Sequence, residues 1–186
     1  YSLAVIVPLA IVNSQLGFIE DSYLWIAIIA LLVFAFFNFR PKGKAKCFAG
    51  DVGSVSIAFI MLFAIGKLIM ATGDFTWLIF LLVYGVDGCL TICHRIMLHE
   101  PLGQAHRKHA YQLMANELKM SHPLVSVIYM AIQLVISLGF IYLCPATFTA
   151  HLIYLVAALI ALSVAYVAFK RKYYYLHEEY LRSLQS

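Results

Sequence analysis

Long apolar stretches separated by short polar ones dominate this chain. A helix needs about 20 apolar residues to cross the hydrocarbon core of a bilayer. The apolar stretches are continuous rather than alternating, which favours helices over barrel strands, because backbone groups in lipid must be hydrogen-bonded internally. The pattern predicts one all-α, polytopic transmembrane helix bundle over residues 1–186 with about six spans. The six apolar blocks are about 1–16, 23–39, 54–72, 76–96, 123–143 and 150–169.

Composition agrees with a membrane protein and gives no sign of a zinc site. The chain is 63% hydrophobic and 12% charged, whereas soluble domains are about half apolar and about a quarter charged. Its four cysteines, Cys47, Cys89, Cys93 and Cys144, have no zinc-ligand spacing and are expected to be packing or loop residues. The chain starts in apolar sequence at Tyr1 without a basic leader, so we expect a segment of a longer protein with no signal peptide.

The positive charges indicate how the bundle is oriented. Twelve of the 13 Lys and Arg residues lie in regions 40–53, 95–122 and 170–186, which six spans place on one side of the membrane. The opposite loops carry Glu20, Asp21 and Asp74 but no Lys or Arg. The positive-inside rule then predicts cytoplasmic loops at 40–53 and 97–122 and a cytoplasmic tail at 170–186. The net charge of +4 therefore reflects membrane orientation, and we expect no nucleic-acid partner.

The first polar cluster lies just before the third block. Asp51 stands between Gly50 and Gly53, and glycines allow a backbone to approach a ligand closely. A helix beginning near Ser54 would present free N–H groups to an anion. A carboxylate beside such an anion suits Mg²⁺, which takes one or two carboxylates together with phosphate oxygens. The alternative is a capped helix start, with Asp51 or Ser54 as the N-cap.

The second cluster is the long polar loop after the fourth block. The run His106-Arg107-Lys108-His109 puts several donors within one turn, which suits a phosphate clamp with Arg as the bidentate member. An ordinary basic cytoplasmic loop explains the same residues, and a zinc site would lack a clear ligand set. Five of the seven histidines lie in this region: His94, His99, His106, His109 and His122.

Two charged residues lie inside predicted spans. Asp87 is flanked by Gly85 and Gly88, and Arg95 follows it two turns later on the same helix face. An ionisable group within a span is costly and suggests function, although a buried polar contact with a neighbouring helix explains Asp87 equally well. Lys67 in the third block is expected to extend towards the outer surface.

Together these residues resemble glycosyltransferase family 4, the polyprenyl-phosphate N-acetylhexosamine-1-phosphate transferases. The family has an Asn after an apolar helix, an Ala-Lys stretch, a Phe-Met-Gly-Asp-x-Gly-Ser motif, an Asp with an Arg eight residues on, and a later Arg-x-His motif. The loop motif departs from the family at three positions, where His106, Tyr111 and Gln112 replace an Asp and two histidines. The matching positions are Asn38, Ala45-Lys46, Phe48-Ala49-Gly50-Asp51-Val52-Gly53-Ser54, Asp87, Arg95, Arg107 and His109.

The resemblance implies an enzyme of the bacterial inner membrane. It would transfer N-acetylhexosamine-1-phosphate, with GlcNAc-1-phosphate the first candidate, from a UDP-sugar to undecaprenyl phosphate, and so initiate cell-envelope polysaccharide synthesis. Asp51 would be the catalytic Mg²⁺ ligand, Asp87 and His106 would be structural or site residues, and a homodimer is also implied. The implied substrate-binding residues are Asn38, Lys46, Gly50, Ser54, Arg95, Arg107 and His109.

The resemblance covers only the C-terminal half of the family's enzyme. The family's Asp-Asp pair and Asn-x-x-Asp-Gly element would precede Tyr1, so we expect this segment alone to be inactive. The alternative function is a transporter or a non-catalytic membrane scaffold, in which Asp87 and Lys67 would be pathway charges. Transporters often show repeated halves, and this sequence shows no internal repeat.

Overall fold

The structure is a computed structural model that describes residues 1–40, 43–104 and 107–183, without the side chains of 180–183. Within these residues the chain is helical and contains no β-strand. A 3₁₀ segment, Phe75–Leu81, runs directly into the fourth helix. The α-helices are α1 (Ser2–Leu16), α2 (Asp21–Asn38), α3 (Gly50–Thr72), α4 (Leu82–Met97), α5 (Ala110–Asn116), α6 (His122–Leu143) and α7 (Phe148–Ser183).

The helices confirm the predicted all-α transmembrane bundle of about six spans. Five of them are long and apolar enough to cross a membrane, with the 3₁₀ segment counted as part of the fourth span, and α1 is a shorter apolar helix. Two details differ from the prediction. Helix α3 begins at Gly50 rather than near Ser54, and the long loop contains the short helix α5. Helix α7 continues from the sixth block into the tail, as far as Ser183.

The outward faces of α2 and α3 are apolar. Ile26 and Ile29 on α2 and Phe59 and Met70 on α3 are largely exposed. In water such faces would be costly, but lipid tails are as apolar as these side chains, so a bilayer accepts them. Exposed apolar residues on these and the other long helices are those expected of a membrane protein.

Helix α1 is the centre of the bundle although it is the shortest of the apolar helices. It contacts α2, α3 and α6, and Val5, Ile6 and Leu9 are completely buried. Its C-terminal turn is closed by Asn13, whose amide donates to the Ile19 carbonyl at 2.8 Å. The remaining apolar helices are therefore arranged around a helix that is itself shielded from lipid.

The end of the bundle with the short loops is tightly bonded. The Asp74 carboxylate accepts hydrogen bonds from the N–H and hydroxyl of Thr76 at 2.8 and 2.6 Å, and lies 2.6 Å from His151 Nδ1 at the start of α7. Burial alone would raise the pKa of Asp74, but the hydrogen bonds from Thr76 and His151 hold it below its usual value. This end therefore ties the 3₁₀ segment to α7.

Candidate functional site

An open groove of about 1630 Å³ lies at the opposite end of the bundle. Its walls come from the end of α2 and the following loop, from the segment before α5, from the α5–α6 connection, and from α7. It is larger than the roughly 300–1,000 Å³ typical of small-molecule pockets, so a nucleotide-sized ligand would fit. The polar and charged side chains along it include Asn38, Arg40, Arg107, Asn116, Glu117, Lys119, Ser121 and His122.

Asn38 anchors the loop that leads towards Asp51. It is the last residue of α2, lines the groove, and donates from Nδ2 to the Cys47 carbonyl at 2.7 Å. A second bond, from the Lys46 N–H to the Phe37 carbonyl at 2.9 Å, folds the same loop back on α2. The Lys46 side chain itself is exposed. Asn38 therefore fixes the loop while it forms part of the groove wall.

Asp51 lies in the first turn of α3 with its side chain exposed. Gly50 before it has a φ of +60°, a left-handed conformation that favours glycine. The N-cap residue is Ala49, which has no side-chain cap, so the interpretation of Asp51 or Ser54 as N-cap is wrong. The Ser54 hydroxyl instead donates to the Asp51 carbonyl at 3.0 Å.

The Asp51 carboxylate is available to a ligand. Among the described residues it makes no hydrogen bond or ion pair. Phe48, three positions earlier, lines the groove, so Asp51 stands close in sequence to the groove wall. A negative charge in the first turn of a helix is favoured by the helix dipole.

Asp87 is the centre of a buried hydrogen-bond network. Its side chain is only 4% exposed. It accepts from the Tyr129 hydroxyl at 2.9 Å, the Ala110 N–H at 2.9 Å and the Thr91 hydroxyl at 3.3 Å, and it lies 3.5 Å from His109 Nδ1. These donors join α4 to α5 and α6 and satisfy a buried charge that would otherwise be costly. The structure therefore favours the structural interpretation of Asp87.

Arg95 uses its guanidinium to shape the loop after α4. It is 3% exposed, and it donates to the carbonyls of Pro101, Leu102 and Gln104 at 2.6, 3.3 and 3.2 Å. Its Nε also donates to Glu100 at 3.4 Å. Since these contacts use the whole guanidinium inside the protein, the substrate contact expected of Arg95 stays a prediction, and its observed role is structural.

Glu100 and Lys108 close the same loop with an ion pair. The Lys108 ammonium holds the pKa of the Glu100 carboxyl below its usual value. Burial alone would lower the pKa of Lys108, but hydrogen bonds to Glu100 and Tyr174 raise it. Glu100 and Lys108, on either side of Arg107 in the sequence, are therefore held together by internal charges.

The predicted clamp residues are not all in the groove. Arg107 is exposed and lines it together with Asn38, so the structure brings residues of the first and last motifs to one surface. His109 is half-buried at the start of α5, close to Asp87, and its ring stacks on Tyr111 at 5.3 Å. His106 lies outside the described residues.

Sequence reasoning did not assign a site role to the groove residues between α5 and α6. Asn116, Lys119, Ser121 and His122 form this part of the wall. The available signal was the polar run 116–122 between two helical segments, directly before the last pair of long apolar blocks. No set of three His, Cys, Asp or Glu side chains forms a metal cluster in the described part of the chain.

Comparisons with known proteins give no relative for this chain. No family model matches it, and neither a curated protein nor a solved structure matches it significantly. The resemblance to glycosyltransferase family 4 therefore depends on the motif residues alone.

Proposed function

We propose that this chain is part of a membrane phosphoglycosyltransferase that moves N-acetylhexosamine-1-phosphate from a UDP-sugar to undecaprenyl phosphate. GlcNAc-1-phosphate is the first candidate for the transferred group. The observation that supports the proposal best is that Asn38 and Arg107, from motifs far apart in the sequence, line one groove. The exposed Asp51 carboxylate follows the groove-lining Phe48 along the chain.

The charges of the groove suit a nucleoside diphosphate-sugar. In the proposed reaction an oxygen of the lipid phosphate attacks the β-phosphorus of the UDP-sugar, and the bond to the UMP oxygen breaks. Arg40, Arg107 and Lys119 line the groove and carry the positive charge that would bind the diphosphate and stabilise UMP as it leaves. Positioning and electrostatics supply most of the catalysis in phosphoryl transfer, so no nucleophilic side chain is required.

Asp51 fits the role of a magnesium ligand. Mg²⁺ is usually bound by one or two carboxylates and completes its shell with water and substrate phosphate. A single exposed carboxylate at a helix start, without a protein partner among the described residues, meets that requirement. When bound there, Mg²⁺ would neutralise charge on the diphosphate. Asp51 would hold the metal on the side of the groove formed by the loop before α3.

The position of the groove suits the proposed substrates. It opens at the end of the bundle where Arg40, Arg107 and Lys119 line it together with Leu176 of α7. The positive-inside rule makes that end cytoplasmic, and UDP-sugars are cytoplasmic compounds. A lipid phosphate lies at the membrane surface, so the two substrates would meet at this end. We therefore propose a bacterial inner membrane protein with cytoplasmic active-site loops.

The test is an assay of UMP release in membranes that contain the full natural chain. The assay contains UDP-GlcNAc and undecaprenyl phosphate as substrates and Mg²⁺ as the metal. It compares Asp51→Asn with Glu178→Gln, which removes an exposed carboxylate on the tail. We expect Mg²⁺-dependent release that is lost only in Asp51→Asn. Release that does not need Mg²⁺, or that is equal in both variants, would overturn the proposal. Solute flux without UMP release would support the transporter alternative.

A further inference from the structure

We propose that the C-terminal part of α7, residues 170–177, positions the groove wall, with Lys170 and His177 as the positioning residues. This part of the helix lies beyond the predicted span at 150–169 and packs against α5. Helix α7 also contributes Leu176 to the groove itself. The segment it contacts, 107–117, carries Arg107 at one end and Glu117 at the other. The identity of the ligand in the groove rests on the proposed function, whereas the contacts between α7 and residues 107–117 do not.

Lys170 fixes the start of that segment. The residue is 8% exposed, and its ammonium donates to the carbonyl oxygen of Lys108, next to Arg107. The ammonium also lies 5.6 Å from the ring centre of Tyr166 and 5.0 Å from that of Tyr174, within the range of a cation–π contact. Lys170 is thus bound to the protein interior and is not a free membrane anchor.

His177 fixes the end of the segment. Its Nδ1 lies 2.8 Å from Glu117 Oε1, and the two side chains are 4% and 7% exposed. The second oxygen of Glu117 is buried without a hydrogen-bond partner among the described residues. The contact to His177 therefore satisfies one oxygen of a carboxylate whose other oxygen is unsatisfied, and removing it would leave a buried charge poorly compensated.

The three residues of the basic triplet 170–172 have different roles: the first positions the groove wall, and the other two face outward. Arg171 and Lys172 are exposed, as expected for residues that interact with the membrane surface. Lys170 points inward and reaches Lys108. The triplet therefore supplies a matched control, because Lys170→Met and Lys172→Met remove the same group from a buried and an exposed position of one helix.

The first experiment measures hydrogen exchange of the amides in 107–117, in the full natural chain in membranes. We expect exchange to be at least about tenfold faster in Lys170→Met and in His177→Phe, because local opening becomes easier. Lys172→Met should match the parent, and Lys170→Arg, which keeps a donor, should restore slow exchange. Unchanged exchange in both variants, or loss of protection throughout the protein in both, would overturn the positioning role.

The second experiment measures KM and kcat for UDP-GlcNAc in the same variants. Displacement of Arg107 would weaken both the binding of the diphosphate and the stabilisation of the leaving UMP, so KM should rise roughly fivefold and kcat should fall as well. Faster exchange with unchanged KM would overturn the link to the groove. If the parent has no activity but exchange responds as expected, the proposed function fails while the contact between α7 and 107–117 stands.

Discussion

The two inner loops both carry predicted site residues, yet they differ in how many internal bonds they make. In the loop after α4, Arg95 binds three carbonyls and Glu100, and Lys108 completes an ion pair. At the start of α3 and in the loop before it, the Asp51 and Lys46 side chains are exposed. Polar groups with internal partners are already satisfied, whereas exposed ones are available to a ligand. Arg95, Glu100 and Lys108 therefore support the first loop, in which Arg107 faces the groove, whereas Lys46 and Asp51 are available to a ligand.

The two aspartates predicted as candidate site residues, Asp87 and Asp51, differ in burial and hydrogen bonding in the same way. Asp87 is buried and surrounded by donors from three helices. Asp51 is exposed at a helix start. A charge inside the bundle is tolerated only when it is paired, so the donors around Asp87 account for its presence without a ligand. Asp51 needs no such compensation, and its position is free to be used in binding.

Asp51→Asn should give the largest effect on activity and almost none on stability. We expect UMP release to fall by about 100-fold or more, comparable to the loss of one group that stabilises transition-state charge. The midpoint of thermal unfolding in detergent should change little, because the carboxylate makes no bond among the described residues and its interaction with the helix dipole contributes less than about 1 kcal/mol. A fall in midpoint as large as that of Asp87→Asn would contradict the contrast between Asp51 and Asp87.

Arg95→Met should give the largest loss of stability. It leaves several carbonyls and the Glu100 carboxylate without their donor, and we expect a loss of about 3 kcal/mol in the free energy of unfolding. The unfolding midpoint in detergent checks this, with exposed Arg171→Met as the matched control. If Arg95→Met unfolds like the parent but binds UDP more weakly, Arg95 contacts the ligand after all.

Asp87→Asn should destabilise the bundle by about 2 kcal/mol, because a carboxamide cannot accept all the hydrogen bonds that the carboxylate accepts. Hydrogen exchange should become faster first at the Ala110 amide, whose N–H donates a hydrogen bond to the Asp87 carboxylate. Thr91→Val provides a comparison, since it removes one donor and keeps the charge. A stable Asp87→Asn protein without activity would instead indicate a catalytic role.

Hydropathy predicted the spans well but not their arrangement. The blocks 1–16 and 54–72 are both largely apolar, yet α1 is buried in the bundle while α3 presents Phe59 and Met70 outward. Lipid and protein interior are equally apolar, so hydrophobicity does not distinguish a central helix from a peripheral one. The short helix α5 was missed because its residues are half-polar and its start depends on contacts with Asp87.

Sequence spacing brought out the polar residues of the site but not their roles. The motifs identified Asn38 and Arg107, which line one groove. They could not reveal that Arg95 folds back on its own loop or that Lys170 reaches Lys108, because both contacts depend on tertiary geometry. Lys170 and Lys172 carry the same charge in the same basic triplet, but Lys170 is buried and Lys172 is exposed. The partners of a side chain, rather than its residue type, therefore distinguish the residues that support the fold from those that line the groove.

Asp74 offers the smallest predicted effect, at the end of the bundle opposite the groove. Its carboxylate accepts hydrogen bonds, as that of Asp87 does, but it lies in an outer loop at the start of the 3₁₀ segment. Asp74→Asn should cost about 1 kcal/mol at neutral pH, the usual net value of a hydrogen bond. UMP release should be unchanged, because Asp74 lies far along the bundle from the groove lining.

Lowering the pH should remove the stability that the Asp74 carboxylate contributes in the parent protein. The pKa of Asp74 is lowered in the folded state from its ordinary 3.8, so the carboxylate contributes stability above pH 3.8 and loses it as pH falls through the lower, folded-state pKa. The unfolding midpoint of the parent should therefore fall below that pH more steeply than that of Asp74→Asn. Parallel acid profiles of the two proteins would mean that the contact to His151 adds nothing, and that the outer end is held by apolar packing alone.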